Sequence, residues 1–219
     1  MGYRDRIREQ VAARGIEALL HFTPLPNLHR IVDFGLLSRA HVQEQGGFAY
    51  TSIDARLDGN NSAISLSVSA YNFRMLTSKI RASGRGDWVI LAIQPSVLWT
   101  HDCRFHCRNA ATREMQGRRG FTGGPWAFSE MFDDTPPPSF AGNSYRIDTG
   151  IPECLATRSD AEVQVLNPID PDLILGAWVD ASRFADEVQG ELNRLSGYER
   201  DVLVHPFQPR FANGYDAWG

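Results

Sequence analysis

Short apolar runs recur along this chain at uneven intervals, and that unevenness constrains the fold more than any other feature. The runs lie at Ala18–Phe22, Ile64–Val68, Val89–Ile93, Glu162–Leu166, Leu173–Val179 and Val202–Val204, and their length and flanking residues read as strands. Helical spacing fills some of the gaps. Tyr3, Ile7 and Val11 lie four apart and run into Gly15, while Leu28, Ile31 and Val32 continue to Gly35. Further helices are predicted over Tyr71–Arg81, Asn109–Met115, Pro125–Phe132 and Ser182–Leu195, the last with Phe184, Val188, Leu192 and Leu195 on one face. Strands broken irregularly by helices argue for an α+β fold over a doubly wound sheet. A length of 219 residues suits one domain, 1–219. The polar stretch Arg39–Asn61, with Gly46, Gly47 and Gly59, reads as a long loop of the kind that often binds ligands. Asp133–Asn143, with Pro136, Pro137 and Pro138, reads as a surface connection.

Charge divides the chain more sharply than its net −4 suggests. Residues 74–119 hold nine basic groups against three acidic, a net of +6; residues 120–187 hold three basic against twelve acidic, a net of −9. The first segment can face a polyanion or be a solvated face, and a uniformly basic coat is excluded. Lys79 is the only lysine, and arginine's planar fork suits phosphates and base stacking. No run approaches the roughly 18 apolar residues that cross a bilayer, and Met1–Arg6 lacks the apolar segment of a secretion signal. Cys103, Cys107 and Cys154 are too few for a disulfide framework, so a cytoplasmic protein is expected. The chain has no Walker phosphate loop, no Gly-x-Gly-x-x-Gly after a strand, no His-Glu-x-x-His and no Gly-x-Ser-x-Gly, which disfavours the common nucleotide and hydrolase folds. His101, Cys103, His106 and Cys107 crowd four soft ligands into seven positions, too tightly to wrap one zinc ion; no metal is expected.

Three ordered passages have a sharper character. His21-Phe22-Thr23 closes the first strand and is followed by Asn27-Leu28 and Gly35-Leu36-Leu37-Ser38-Arg39. Tyr50-Thr51-Ser52-Ile53-Asp54, with Arg56, leads into Ile64-Ser65-Leu66-Ser67-Val68. Ser159-Asp160-Ala161-Glu162 then sets a carboxylate at the start of an apolar strand. Over roughly residues 18–166 this order resembles the DarT family of DNA ADP-ribosyltransferases, toxins of bacterial toxin–antitoxin pairs. The Ile64–Val68 run followed by Tyr71, and the Cys103–Ala111 stretch, resemble the guanine-modifying branch more than the thymidine-modifying one.

The resemblance implies the ADP-ribosyltransferase fold, a split mixed β-sheet with NAD⁺ as co-substrate in the cleft and peripheral helices. It implies transfer of ADP-ribose to a base of single-stranded DNA, and an antitoxin partner that removes it, a DarG-like macrodomain or NADAR-like hydrolase. Loss of nicotinamide develops positive charge on the ribose, which a fixed carboxylate can stabilise, and Glu162 has the type and place for that work. By resemblance, His21, Thr23 and Asn27 hold NAD⁺ and Arg56 sits at the reacting centre. Tyr71, Arg113 and Arg158 are weaker candidates for DNA contact, and Asp148–Ala161 matches the substrate-recognition loop in place. Tyr71, Trp99, Phe105 and Trp126 could offer stacking faces to bases, although each aromatic taken singly suits a core better. A binding module on the same fold, without catalysis, stands as the alternative, as does an enzyme acting on thymidine, RNA or protein.

Overall fold

The computed structural model describes residues 2–50, 59–118, 120–134 and 141–209. Helix α1 (Tyr3–Ala13) buries Ile7 and Val11, four residues apart, and stops before Gly15, which takes φ 63°. Strand β1 (Leu19–Pro24) passes through a 3₁₀ turn (Leu25–Asn27) into α2 (Leu28–Phe34). At Gly35, φ is 82° and a Cβ would lie 2.4 Å from the Ile169 carbonyl oxygen, so only glycine fits. The stretch expected to be loop from Arg39 onward begins with a helix, α3 (Arg39–Glu44), started by the Ser38 hydroxyl accepting from His41 N–H at 3.3 Å. It buries no residue, so no apolar period marks it in the sequence.

Strand β2 (Ile64–Val68) precedes α4 (Phe73–Ser83), which begins at the Asn72 side chain, 2.9 Å from Met75 N–H, and closes on left-handed Gly84. Strand β3 (Trp88–Ile93) leads to α5 (Val97–Thr100) and β4 (Cys103–His106), both unforeseen. Of the predicted Asn109–Met115 helix only α6 (Arg113–Gln116) forms. Asn109 Oδ1 accepts from Ala111 N–H at 3.0 Å, and that local turn delays the helix until Thr112 caps it. Then come α7 (Pro125–Glu130), α8 (Tyr145–Thr149), β5 (Glu162–Val165), β6 (Ile174–Val179), α9 (Ala185–Leu192) and β7 (Val202–Val204).

The seven strands form one mixed sheet in the order β4-β5-β2-β1-β3-β6-β7, antiparallel throughout except for the parallel β6–β7 pair. Its central joint is narrow. β1 and β2 pair only through Leu19–Val68 and Leu20–Ser67. Beyond that point β1 keeps β3 as its neighbour and β2 keeps β5, so the sheet opens into two halves. The main core, with Leu19, Leu91, Val163 and Val165, packs under α1, α2, α7 and α9 across both halves. A second cluster, Tyr71, Leu76, Trp88 and Ile90, joins α4 to β3.

Candidate active site

The split holds a cleft of about 690 Å³, inside the range of roughly 300–1,000 Å³ typical of ligand sites. One lip is the outer end of β1, with His21 and Thr23; the other is β2 with Ser65 and the start of β5 with Glu162. His21 Nδ1 lies 2.9 Å from the Ser65 carbonyl oxygen and so ties the lips together where the strands diverge. A carbonyl only accepts, so Nδ1 carries the hydrogen. Arg30, Arg39, Arg74 and Lys79 also line the cleft and supply positive charge for a ligand's phosphates.

Alternation along β5 sends Val163 and Val165, fully buried, into the main core and places Glu162 and Gln164 on the opposite side. Glu162 is only 7% exposed. Its Oε2 accepts from Asn109 Nδ2 at 3.0 Å and from the Ala110 backbone N–H at 2.9 Å. The residue just before this pair is also engaged: Arg108 Nε donates to Asp160 at 3.2 Å. Three consecutive residues of the turn after β4, Arg108, Asn109 and Ala110, thus grip two acids at the start of β5, Asp160 and Glu162.

Asn27 works differently from a simple ligand contact. Its Nδ2 donates to Thr23 Oγ1 and to the Tyr50 carbonyl, each at 2.9 Å, and its Oδ1 accepts from Tyr50 N–H at 2.8 Å. Tyr50 is therefore clamped to the β1 side of the cleft, and its ring takes the Arg85 guanidinium at 5.0 Å from the centroid. Neither Tyr50 nor Asn109 had been assigned a role from sequence, although the Asn-x-x-Thr spacing at 109–112 is a turn signal.

The other expected residues fall elsewhere. Arg56 lies outside the described residues. Tyr71 does not offer a stacking face: it is 4% exposed, edge-on to Trp178, and its hydroxyl donates to the Gln208 carbonyl at 2.6 Å and accepts from Gln208 N–H at 2.8 Å. Phe105 is likewise fully buried, against Phe128, whereas Trp126 is exposed. Arg113 is exposed on α6, outside the cleft. Arg158 lines a neighbouring depression of about 350 Å³, which shares Arg108 with the cleft. Burial, reinforced by Arg108, holds the Arg158 guanidinium below its usual value.

The cysteine–histidine cluster resolves into strand geometry. Cys103 points into the core and its thiol is pushed up to about 12, chiefly by burial. Among the described residues no three histidine, cysteine or acidic side chains converge on one point, and no helix is long and apolar enough to cross a membrane.

A mixed sheet opened at one joint, with a ligand-sized cleft in the opening and a gripped carboxylate on its edge, defines the ADP-ribosyltransferase fold. The chain belongs to the DarT family, NAD-dependent DNA ADP-ribosyltransferases: the family described as ssDNA thymidine ADP-ribosyltransferase, DarT, matches residues 20–211. Solved structures share the fold. The Thermus sp. 2.9 DarT in complex with ADP-ribosylated ssDNA is 16% identical with a TM-score of 0.53, over 87% of this chain and 95% of that one. The same Thermus protein in complex with carba-NAD⁺ is 15% identical with a TM-score of 0.54, over 86% of this chain and 95% of that one. Thermosipho africanus DarTG in complex with ADP-ribose is 15% identical with a TM-score of 0.54, over 87% of this chain and 50% of that one, so the chain spans half the length of that relative. No protein of curated function matches the chain in sequence.

Proposed function

We propose that this protein transfers the ADP-ribosyl group of NAD⁺ to a nucleobase of single-stranded DNA and releases nicotinamide. The observation that carries the reading is Glu162: a carboxylate buried at the cleft edge and fixed by two N–H donors. When the ribose–nicotinamide bond breaks, its electron pair leaves with nicotinamide and positive charge grows on the ribose. Glu162 is the fixed anion that stabilises this charge, and a base nitrogen or oxygen then attacks the sugar carbon and gives up its proton. His21, Thr23 and, through Tyr50, Asn27 shape the wall against which NAD⁺ lies. Arg56 holds a phosphate or the base as it loses its proton, and Arg113 and Arg158 meet the DNA backbone.

Two acceptor bases have support. The family description names thymidine; the Ile64–Val68 and Cys103–Ala111 stretches resemble the guanine-modifying branch, and guanine is the base we favour. The biological setting we propose is a toxin opposed by an ADP-ribosyl hydrolase antitoxin. The DarTG name of the Thermosipho relative supports that setting.

The test is incubation with NAD⁺ and a panel of DNA and RNA oligonucleotides, each lacking one base, read by mass spectrometry. One ADP-ribosyl mass added to single-stranded DNA that contains guanine supports the full reading. Addition only where thymidine is present corrects the base, and no addition to any DNA overturns the activity.

A further inference from the structure

Glu162 is held from one side by a single short turn. Asn109 Nδ2 and Ala110 N–H both reach its Oε2, at 3.0 and 2.9 Å. The direction of the Asn109 amide is itself fixed, because its Oδ1 accepts from Ala111 N–H at 3.0 Å while its carbonyl accepts from the Thr112 hydroxyl at 2.8 Å and from Thr112 N–H at 3.0 Å. With Oδ1 committed to Ala111, only Nδ2 can face the carboxylate. A buried carboxylate on a four-residue strand end has rotational freedom that burial alone does not remove. The turn removes it.

Resting on the activity proposed above, we infer that Asn109 is the positioning residue for Glu162: it fixes the carboxylate at the angle that the developing ribose cation requires. Asn109 lines the cleft beside Glu162, and in this assignment it acts through that carboxylate. It acts by donating one hydrogen bond, and the Ala110 backbone donates the second, which no side-chain substitution removes. The charged and titratable groups around Glu162 are His106, paired with it across β4, Arg108 in the same turn, Asp160 two residues earlier, and His21 on the opposite lip. All of them stay in place when only position 109 changes.

Asn109→Asp is the informative variant. Its carboxylate keeps an acceptor for Ala111 N–H, so the turn persists, but it replaces the donor to Glu162 with a like charge about 3 Å away. A neighbouring like charge raises the pH at which a carboxyl ionises. We expect single-turnover transfer at neutral pH to fall on the order of 10–10²-fold, with NAD⁺ affinity by calorimetry within about twofold of the parent. The acid limb of the rate profile should move up by about one pH unit or more. Asn109→Ala should lower the rate by a similar factor and move the acid limb up by less than Asn109→Asp does, because it removes a donor to the charged carboxylate but adds no like charge. Titration of the ¹³C-labelled Glu162 carboxyl by NMR reads the same coupling without any turnover. A raised midpoint in Asn109→Asp supports the assignment even if the parent protein proves inactive on DNA, an outcome that sinks the proposed activity alone. An unchanged Glu162 midpoint, or parental rates in both folded variants, overturns the positioning role.

Discussion

Glu162 meets two demands that a single substitution separates. It accepts two N–H groups, which glutamine's carbonyl oxygen can still do, and it supplies negative charge, which glutamine cannot. Glu162→Gln should therefore fold with a nearly unchanged melting temperature while transfer falls on the order of 10²–10³-fold. Nicotinamide release in the presence of single-stranded DNA measures it, and near-parental release would return Glu162 to a structural role. Cys103 makes a second prediction of opposite character. Burial, with the nearby Asp102 charge adding to it, raises its thiol from 9.0 to about 12. A group that holds its proton more tightly when folded supports the fold below its unfolded value and loses that support as pH rises through its folded one. Stability should thus decline from about pH 9 towards about 12, and Cys103→Ala should flatten that decline. Urea midpoints across the series provide the check. Residue order together with the family resemblance singled out Glu162, His21 and Thr23, and the fold brings all three to one cleft. Tyr71 was misread because its hydroxyl finds the Gln208 backbone, a contact between segments 137 positions apart that no local pattern reveals.

Elements were legible where they bury an apolar face. β2 matches its predicted bounds, and α1, α2 and α4 are displaced only at their ends. Those missed, α3, α5, α8 and β4, are four to six residues long, too short to complete an apolar period. The loop between α8 and β5 has no such period either, yet it is pinned from within. Arg146, 8% exposed, donates to the carbonyls of Leu155 at 3.0 Å and Pro152 at 2.9 Å and to Thr157 Oγ1 at 2.8 Å. Arg146→Met would strand two buried acceptors, the Leu155 carbonyl and Thr157 Oγ1, and the half-buried Pro152 carbonyl, each buried one worth about 1–3 kcal/mol when left unmade. We expect stability to drop by about 2–4 kcal/mol, with relaxation of the shared contacts offsetting part of the loss. Faster proteolysis within 150–160 should accompany it, and an unchanged cleavage pattern would show that the loop is held by other contacts. At Gly176 on β6, a Cβ would sit 2.7 Å from the Asp201 carbonyl oxygen, so Gly176→Val should loosen the short parallel β7 as well.

Across the whole molecule, the charge division partly cancels itself. Arg108 pairs with Asp160 and Arg118 with Glu130, each joining the basic segment to the acidic one, and Arg85 pairs with Asp87. Arg81, Arg104 and Arg113 remain exposed. DNA binding should therefore weaken with salt, but less steeply than a net of +6 suggests, and Arg113→Gln should lower the slope of log K against log salt by about one. Fluorescence anisotropy with a labelled single strand at several salt concentrations tests this; an unchanged slope places Arg113 outside the DNA path. The strand order has a consequence in time. Among the described residues no two neighbouring strands are joined by a tight hairpin, so long loops must close before any ladder forms, which slows folding. β5, the strand that carries Glu162, sits between β2 and β4 and leaves the ribosome after both. Ribosome-bound chains ending before Val165 should bind no NAD⁺, so the activity proposed above would stay switched off in a nascent chain until β5 has been made and has slotted between strands that emerged before it.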